Sequence, residues 1–375
     1  MDYDIAVIPG DGIGPEVIKE ALIVLEKAAS VYGFGLKTNI LPFGANYYLA
    51  HGEVLPKSAF DDLGAASALL LGAVGDPAVP PGPIEQELLL ALRFHFDQYL
   101  NLRPARSYPN IKLPINAPTG GDIDLVVVRE NTEDFYMGLG GSLPENAQYT
   151  LEAKRGQYDF VGKLDFSIVP PRDTAYSLGL LTKPSVERIA GRAFKLAASR
   201  SQNTVHVATK SNALPKFYGF WDKVIEDLAA RQYPQILLTK VNIDNLCYQL
   251  VRAPLNFGVI LCPNLFGDIV SDLTSAITGG LGLAASGNIG DGLSMFEPAH
   301  GSATKLTNTG RANPLATILS AALMLEHLGE TKAATGVRQA VTEYLASSPD
   351  LRPWELGGKA DCQTIGQNVA NFIKD

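Results

Sequence analysis

The chain has 375 residues, 46% of them hydrophobic and 19% charged, and carries a net charge of −8. That is enough for two domains or one large one, and without a basic stripe it argues against a nucleic-acid surface. No apolar run reaches membrane-spanning length, and Cys247, Cys262 and Cys362, with no C-x-x-C pair, suit reduced cytosolic thiols rather than disulfides or zinc.

The chain opens directly into a strand-like run, Tyr3–Ile8, with no charged-then-apolar leader, so a cytoplasmic location is expected. A glycine-rich turn, Gly10-Asp-Gly-Ile-Gly14, leads into a helix with Pro15 at a favoured first position. The turn is not G-x-G-x-x-G, and no acid stands at the ribose position after a second strand. A tight strand-to-helix turn and a phosphate contact are equally open there. Ala68-Leu-Leu-Leu-Gly72 and Leu125-Val-Val-Val128 read as buried strands, as do Thr204–Ala208, Gln235–Leu238 and Gly258–Leu261. Helical segments alternate with them, which predicts α/β layering with substantial parallel pairing. Positions 134–172 lack helical period and are rich in Gly, Tyr and Pro; hairpins or an extended arm between subunits are expected. From Asn313 onward the chain reads as helices, among them Leu315–Leu325, and no repeat of 20–50 residues is evident.

Three arginines stand out, two of them at the ends of apolar or helical segments. Arg93 ends the run Ile84–Leu92, Arg103 sits in Asn101-Leu-Arg-Pro104, and Arg129 follows Leu125–Val128. Guanidiniums at such ends could point into a cleft and clamp carboxylates bidentately, capturing an anion against the overall field. Lys210, in Thr209-Lys-Ser-Asn212, follows a strand, where a lysine is a general base or an ordinary loop cation. Asp244 also follows an apolar run.

Asp268 and Asp272 stand four residues apart in Asn264-Leu-Phe-Gly-Asp-Ile-Val-Ser-Asp272. On a helix both leave one face, where like charges cost roughly 0.2–0.5 kcal/mol unless a cation sits between them. Leu265, Ile269, Leu273 and Ala276 fall on one apolar stripe, expected to be buried with the aspartates at its margin. The edge of a buried face suits a hard metal ion.

In order, these segments resemble the metal-dependent β-decarboxylating dehydrogenases of D-2-hydroxy diacids, the isocitrate, 3-isopropylmalate and tartrate/D-malate dehydrogenases. The resemblance runs from Ile8 to roughly Leu328. It is carried by Pro9-Gly-Asp-Gly-Ile-Gly-Pro-Glu16, Asn101-Leu-Arg-Pro104, Arg129-Glu-Asn-Thr-Glu133, Lys210-x-Asn212, the Asn264–Asp272 stretch and Phe296-Glu-Pro-x-His-Gly-Ser302. It implies an isopropylmalate-dehydrogenase-like two-domain α/β fold, not a Rossmann fold, whose mixed central sheet spans both domains. Residues 1–99 and 254–375 would form the large cofactor-binding domain, and 100–253 the small domain with the dimer interface and the arm.

The resemblance also implies roles. Asp244, Asp268 and Asp272 would hold Mg²⁺ or Mn²⁺, and Arg93, Arg103 and Arg129 would clamp the substrate. Lys210 would help remove the hydroxyl proton, and Tyr136 would protonate the enol. Asn212 would lie near nicotinamide and substrate. Asp244 and Lys210 would come from the partner subunit, making a homodimer with shared sites obligatory. Ile13, Glu297, His300, Gly301, Ser302, Ala303, Lys305 and Asn313 would line the NAD or NADP site. Keeping these groups speaks against a non-catalytic regulatory subunit or a mere binding module.

By the same resemblance, the helix before Arg93 would read the substrate's third arm. Leu88, Leu89 and Leu90 would leave a polar arm unpartnered, favouring an apolar arm as in 3-isopropylmalate, and hence leucine biosynthesis. Gly75-Asp-Pro77 and Arg103-Pro-Ala-Arg106 also look like that branch, whereas Asn46-Tyr-Tyr48, Phe96-Asp-Gln-Tyr99 and Thr209-Lys-Ser-Asn212 look like the tartrate/D-malate branch. Lys305 stands where NAD-using members carry an acid, so it could pair with the 2′-phosphate of NADP, with Arg352 as a second phosphate ligand.

Overall fold

The computed structural model describes residues 1–80, 82–116, 121–143, 147–166 and 172–374. Five strands come first: β1 (Asp2–Ile8), β2 (Gly35–Ile40), β3 (Ala68–Leu71), β4 (Leu100–Arg106) and β5 (Asp124–Glu130). Four form the arm: β6 (Gly140–Leu143), β7 (Ala147–Arg155), β8 (Tyr158–Phe166) and β9 (Thr174–Ser177). The last five are β10 (Thr204–Thr209), β11 (Leu237–Asn242), β12 (Val259–Cys262), β13 (Ala285–Ile289) and β14 (Met295–Pro298). Between them run α1 (Gly14–Tyr32), α2 (Ala45–His51), α3 (Lys57–Gly64), α4 (Ala91–His95), α5 (Lys183–Ser199) and α6 (Tyr218–Gln232). Then follow α7 (Ile243–Arg252), α8 (Asn264–Thr278), α9 (Leu315–His327), α10 (Thr331–Ala346) and α11 (Cys362–Phe372).

One ten-stranded sheet, in the order β11-β10-β12-β5-β4-β13-β14-β3-β1-β2, crosses the molecule. Its two wings are parallel, β11-β10-β12-β5 and β14-β3-β1-β2. The middle, β5-β4-β13-β14, is antiparallel. This is the mixed α/β sheet that the sequence implies. Parallel strands covered on both faces read as continuous apolar runs, and β3 and β12 are buried at every position. In β4 and β5, by contrast, alternate residues face different layers. Ala105, Leu125 and Val127 pack with the α7–α8 side, whereas Leu100, Val126 and Val128 pack with α5 and α6. On the far wing a larger core joins β1 to α1, α9, α10 and α11. Burying each such side chain contributes about 1.5–3 kcal/mol.

The arm is built of antiparallel pairs, β6 with β9 and β7 with β8. Positions 144–146 and 167–171 of that expected arm lie outside the described residues.

Two expectations need correction, and one expected helix takes a wider form. The strand expected over 235–238 starts at Leu237 and runs to Asn242. It is an edge strand, so its solvent side is free to be polar, and Leu237 itself is exposed. The run before Arg93 winds as a π-helix over Glu85–Leu90 before becoming α4. Ile84, Leu88 and Leu92, four apart, are all buried, a spacing the wider π turn accommodates.

The stripe on α8 is less buried than expected. Ile269 is 54% exposed, Ala276 is exposed, and Leu265 and Leu273 are half-buried. The buried residues are Asn264, Gly267, Val270, Ser271, Thr274, Ser275, Ile277 and Thr278. Their hydroxyls are satisfied within the helix: Ser271 Oγ donates to Asp268 O, and Ser275 Oγ to Ser271 O, both at 2.8 Å. Small and hydroxyl residues let α8 sit close against the arginine-bearing strands β4 and β5, while Val270 and Ile277 supply its apolar core contacts and Ile269 is left outside.

Candidate active site

The antiparallel pairing of β4 with β5 sets Arg103 opposite Val127 and Arg129 opposite Asn101. Both guanidiniums meet α8. Arg129 Nε and Nη2 donate to Asn264 Oδ1 at 3.0 and 2.8 Å, and its Nη1 donates to Asp268 Oδ1 at 2.5 Å. Arg103 Nη1 donates to Ser271 Oγ at 2.8 Å and lies 3.7 Å from carboxylate oxygens of both Asp268 and Asp272. Tyr136, just beyond β5, donates to Asp268 Oδ2 at 2.8 Å, with Arg129 5.2 Å from its ring centre. Buried Arg93 donates to Glu297 Oε1 at 3.1 Å, and Asn288 Nδ2 donates to the same oxygen at 2.8 Å.

The electrostatics follow from this packing. Burial would raise the Asp268 pKa, but Arg129, Arg103 and the Tyr136 hydroxyl outweigh it and hold the carboxyl below its ordinary range. Asp272 goes the other way: burial, aided by repulsion from Asp268, raises it despite Arg103. Burial first, then the like charge of Arg103, brings Arg129 down to about 10. Burial raises Tyr136, and its bond to Asp268 adds to that, so the phenol is protonated at neutral pH.

The sequence reading missed two supports of this cluster. Asn264 is buried and orients Arg129, while its Nδ2 donates to Glu133 O at 3.1 Å. Gly267 leaves room for the same arginine, since a Cβ there would stand 2.5 Å from Arg129 Cγ. The sequence signal for Asn264 was its place one turn before Asp268 on the same side of the helix, whereas Gly267, the residue just before Asp268, gave none.

Arg93, Arg103, Arg129, Tyr136, Asp268, Asp272 and Glu297 are thus gathered in one place. Leu89 and Leu90, one turn before Arg93, are half-buried, with Leu89 packed into the core around β3 and Leu88 fully within it. Asp244, Lys210 and Asn212 do not join the cluster within one chain. Lys210 Nζ donates to Asp244 Oδ1 at 2.5 Å at the ends of β10 and β11, and Asn212 is exposed beside them. The Lys210 bond holds Asp244 below its usual range. Among the described residues no group of three or more metal-ligating side chains gathers.

A cavity of about 580 Å³ lies beside the 300–306 loop, lined by Gly75, Asp76, Gly301, Ser302, Ala303 and Lys305. Ile13, Glu297, His300 and Asn313 are not in its lining. Ile13 N donates to Ser302 O at 2.9 Å, and a Cβ at Gly12 would lie 2.2 Å from that oxygen, so the glycine turn is packed against the loop. Ala303 adopts the left-handed region at φ +39°, a conformation that costs a non-glycine residue. Burial lowers the pKa of His300, keeping its ring neutral. Asn313 Nδ2 donates to Glu355 Oε1 at 2.7 Å, and its Oδ1 accepts from Leu315 N at the start of α9. The Arg352 guanidinium donates to Leu345 O at 3.1 Å and to Asn110 O at 3.0 Å, and Arg352 is not in the lining of this cavity.

A model of isocitrate and isopropylmalate dehydrogenases matches residues 4–369. The chain belongs to the isocitrate/isopropylmalate dehydrogenase family. It is 41% identical over 374 residues to a 3-isopropylmalate dehydrogenase of Thermobifida fusca, covering 99% of this chain and 98% of that protein. It is 42% identical over 353 residues to the 3-isopropylmalate dehydrogenase of Mycobacterium avium, covering 93% and 96%. The crystal structure of isocitrate dehydrogenase from Methylococcus capsulatus aligns over the whole of both chains, with a TM-score of 0.84 at 28% identity.

Membership makes the protein a decarboxylating dehydrogenase, an oxidoreductase, and implies a nucleotide cofactor and a divalent metal. The residues present fit such a metal. Asp268 and Asp272 offer hard oxygen donors, as Mg²⁺ or Mn²⁺ requires. Three guanidiniums face Asp268, Asp272 and Glu297, so the cluster is near neutral; a bound dication would leave it two charges positive, suited to a dianionic substrate. No helix among the described residues is long and apolar enough to cross a membrane.

Proposed function

We propose that the chain oxidises and decarboxylates a D-2-hydroxy diacid of the 3-isopropylmalate type, using NAD or NADP and Mg²⁺ or Mn²⁺. The observation that carries this reading is the convergence of Arg93, Arg103, Arg129 and Tyr136 on the Asp268–Asp272 pair. Arg103 and Arg129, anchored on adjacent strands, hold the two carboxylates of the substrate and leave C2 facing Asp268. Arg93, steadied by Glu297, closes the other end. When bound, the nucleotide would supply a hydride acceptor, and a dication held by Asp268 and Asp272 would supply Lewis acidity. Lys210 of a second subunit takes the hydroxyl proton. Once carbon dioxide has left, Tyr136, protonated at neutral pH, delivers a proton to C3.

The apolar third arm is read by Leu89 and Leu90, which offer no polar partner and so disfavour a third carboxylate. This assigns a role in leucine biosynthesis. The cofactor lies in the cavity beside the 300–306 loop, with Lys305 able to pair with a 2′-phosphate.

The working unit is a homodimer with shared sites. Tyr248, Val251 and Leu255, on and just after α7, are exposed apolar side chains, as is Ile269 on neighbouring α8. A second copy packed on this face would bury them and bring its Lys210 and Asp244 to the Asp268–Asp272 pair. Residues 1–99 with 254–375 make the large domain and 100–253 the small one.

A panel of 3-isopropylmalate, D-malate, tartrate and isocitrate, with each cofactor and metal, followed at the nicotinamide absorbance, tests the reading. The highest kcat/KM is expected with 3-isopropylmalate. A clearly higher value with D-malate or tartrate transfers the chain to that branch.

A further inference from the structure

A second cavity, of about 460 Å³, lies on the opposite side of the β4–β5 pair from the arginine cluster. Strand alternation separates the two. Arg103 and Arg129 face α8, whereas Leu102, Pro104 and Arg106 of β4 and Asp124 and Val126 of β5 line this cavity. Helices α5 and α9 form its walls, through Leu196 on one side and Leu319 and Leu323 on the other. Leu102 touches both the α5–α6 core and the α9–α10 core, so the cavity sits where the two cores fail to meet.

The floor is therefore apolar and the rim is charged. Arg200 Nη2 is paired with Asp124 Oδ1 at 2.9 Å, and Arg338 is paired with Glu326. Arg106 is exposed and makes no ion pair or side-chain hydrogen bond among the described residues. One positive charge is thus left over at the mouth. The charges of Arg106 and Arg338 both bear on the phenol of Tyr108, whose hydroxyl also lacks a partner among the described residues. An apolar hollow of this size with one uncompensated guanidinium and one free hydroxyl fits a ligand with an apolar body and one anionic end. A dicarboxylate would leave its second charge against leucines, and a cation would meet Arg106.

We propose that this cavity is a small-molecule site for a monocarboxylate with a short apolar tail, separate from the substrate clamp and one sheet thickness away. The assignment does not depend on which diacid the enzyme oxidises.

Isothermal titration of the full-length protein with hexanoate tests it, beside 1-hexanol and hexylammonium and with or without excess succinate. Succinate competes for the arginine clamp and not for an apolar hollow. Hexanoate is expected to bind equally with and without succinate, and hexylammonium not to bind. Arg106→Ala, at an exposed position, should weaken hexanoate about tenfold, the scale of one charge-assisted hydrogen bond, while leaving 1-hexanol binding unchanged. Leu196→Trp, which fills the hollow from a half-buried position, should abolish binding of both, with melting curves verifying that each variant folds. Absence of hexanoate binding, its displacement by succinate, or indifference to Arg106→Ala would each overturn the proposal.

Discussion

Tyr136 and Asp268 are 132 residues apart in sequence, yet the phenol donates to the carboxylate at 2.8 Å. Arg129 holds the other oxygen of the same carboxylate. A proton donor, a metal-type ligand and a substrate-type cation are thus fixed on two oxygen atoms.

Tyr136→Phe removes the donor while keeping the ring beneath Arg129. We expect kcat to fall about 10²-fold or more, the usual weight of a positioned acid, with KM little changed. Steady-state kinetics check this; an unchanged kcat would give the protonation to another group.

Gly267→Ala should disturb Arg129 rather than α8. Alanine favours the helix by about 1 kcal/mol, but its Cβ would lie 2.5 Å from Arg129 Cγ, an overpacking that costs about 1–3 kcal/mol. That part of the arginine is tied to its backbone and cannot swing away. The expected result is a KM for the diacid raised about tenfold, the scale of a charge-assisted bond, with a modest fall in Tm.

Mixing two inactive variants tests the shared site. Lys210→Met and Asp268→Asn, refolded together, form heterodimers in which one site carries both changes and the other carries neither. Roughly a quarter of wild-type activity should return. If each site were built from a single chain, mixing would restore nothing. Ile269→Lys, on the exposed apolar face of α8, should shift the protein towards monomer in sedimentation and lower activity with it.

Lys305→Asp replaces the cation in the loop cavity by the acid that suits a ribose diol. We expect kcat/KM to fall about tenfold with NADP and to rise or hold with NAD. An equal effect on both cofactors would remove Lys305 from the 2′-phosphate.

A buried carboxyl should shape the pH dependence of stability. Burial, followed by repulsion from Glu133, pushes Glu130 up to about 7, and burial pushes Asp134 up to about 6. Unfolded, both titrate near the ordinary value of about 4. Between those values the folded chain binds more protons, so stability falls as pH rises towards 7 and this contribution then levels off. Thermal melts from about pH 5 to 8 should show that slope, and Glu130→Gln should flatten it.

The chain's own order of residues determined a good deal. The apolar run ending in Arg129 announced a buried strand with a cation near its end, because a covered strand has few polar positions to interrupt it, whereas the place of Arg103 in the middle of β4 was not announced. The four-residue spacing put Asp268 and Asp272 on one helical face, and the ordered motifs identified the family. Tertiary structure decided the rest. Periodicity says which residues share a face, but not what that face meets. So the Leu265–Ala276 stripe proved to be less buried than its pattern suggests, and the small and hydroxyl residues of α8 to face inward, only once β4 and β5 were seen to require close approach. The grip of Asn264 on Arg129 spans 135 residues, and the anchoring of Arg352 spans 242. No local pattern encodes contacts at that range, since they depend on how the sheet brings distant strands and helices together.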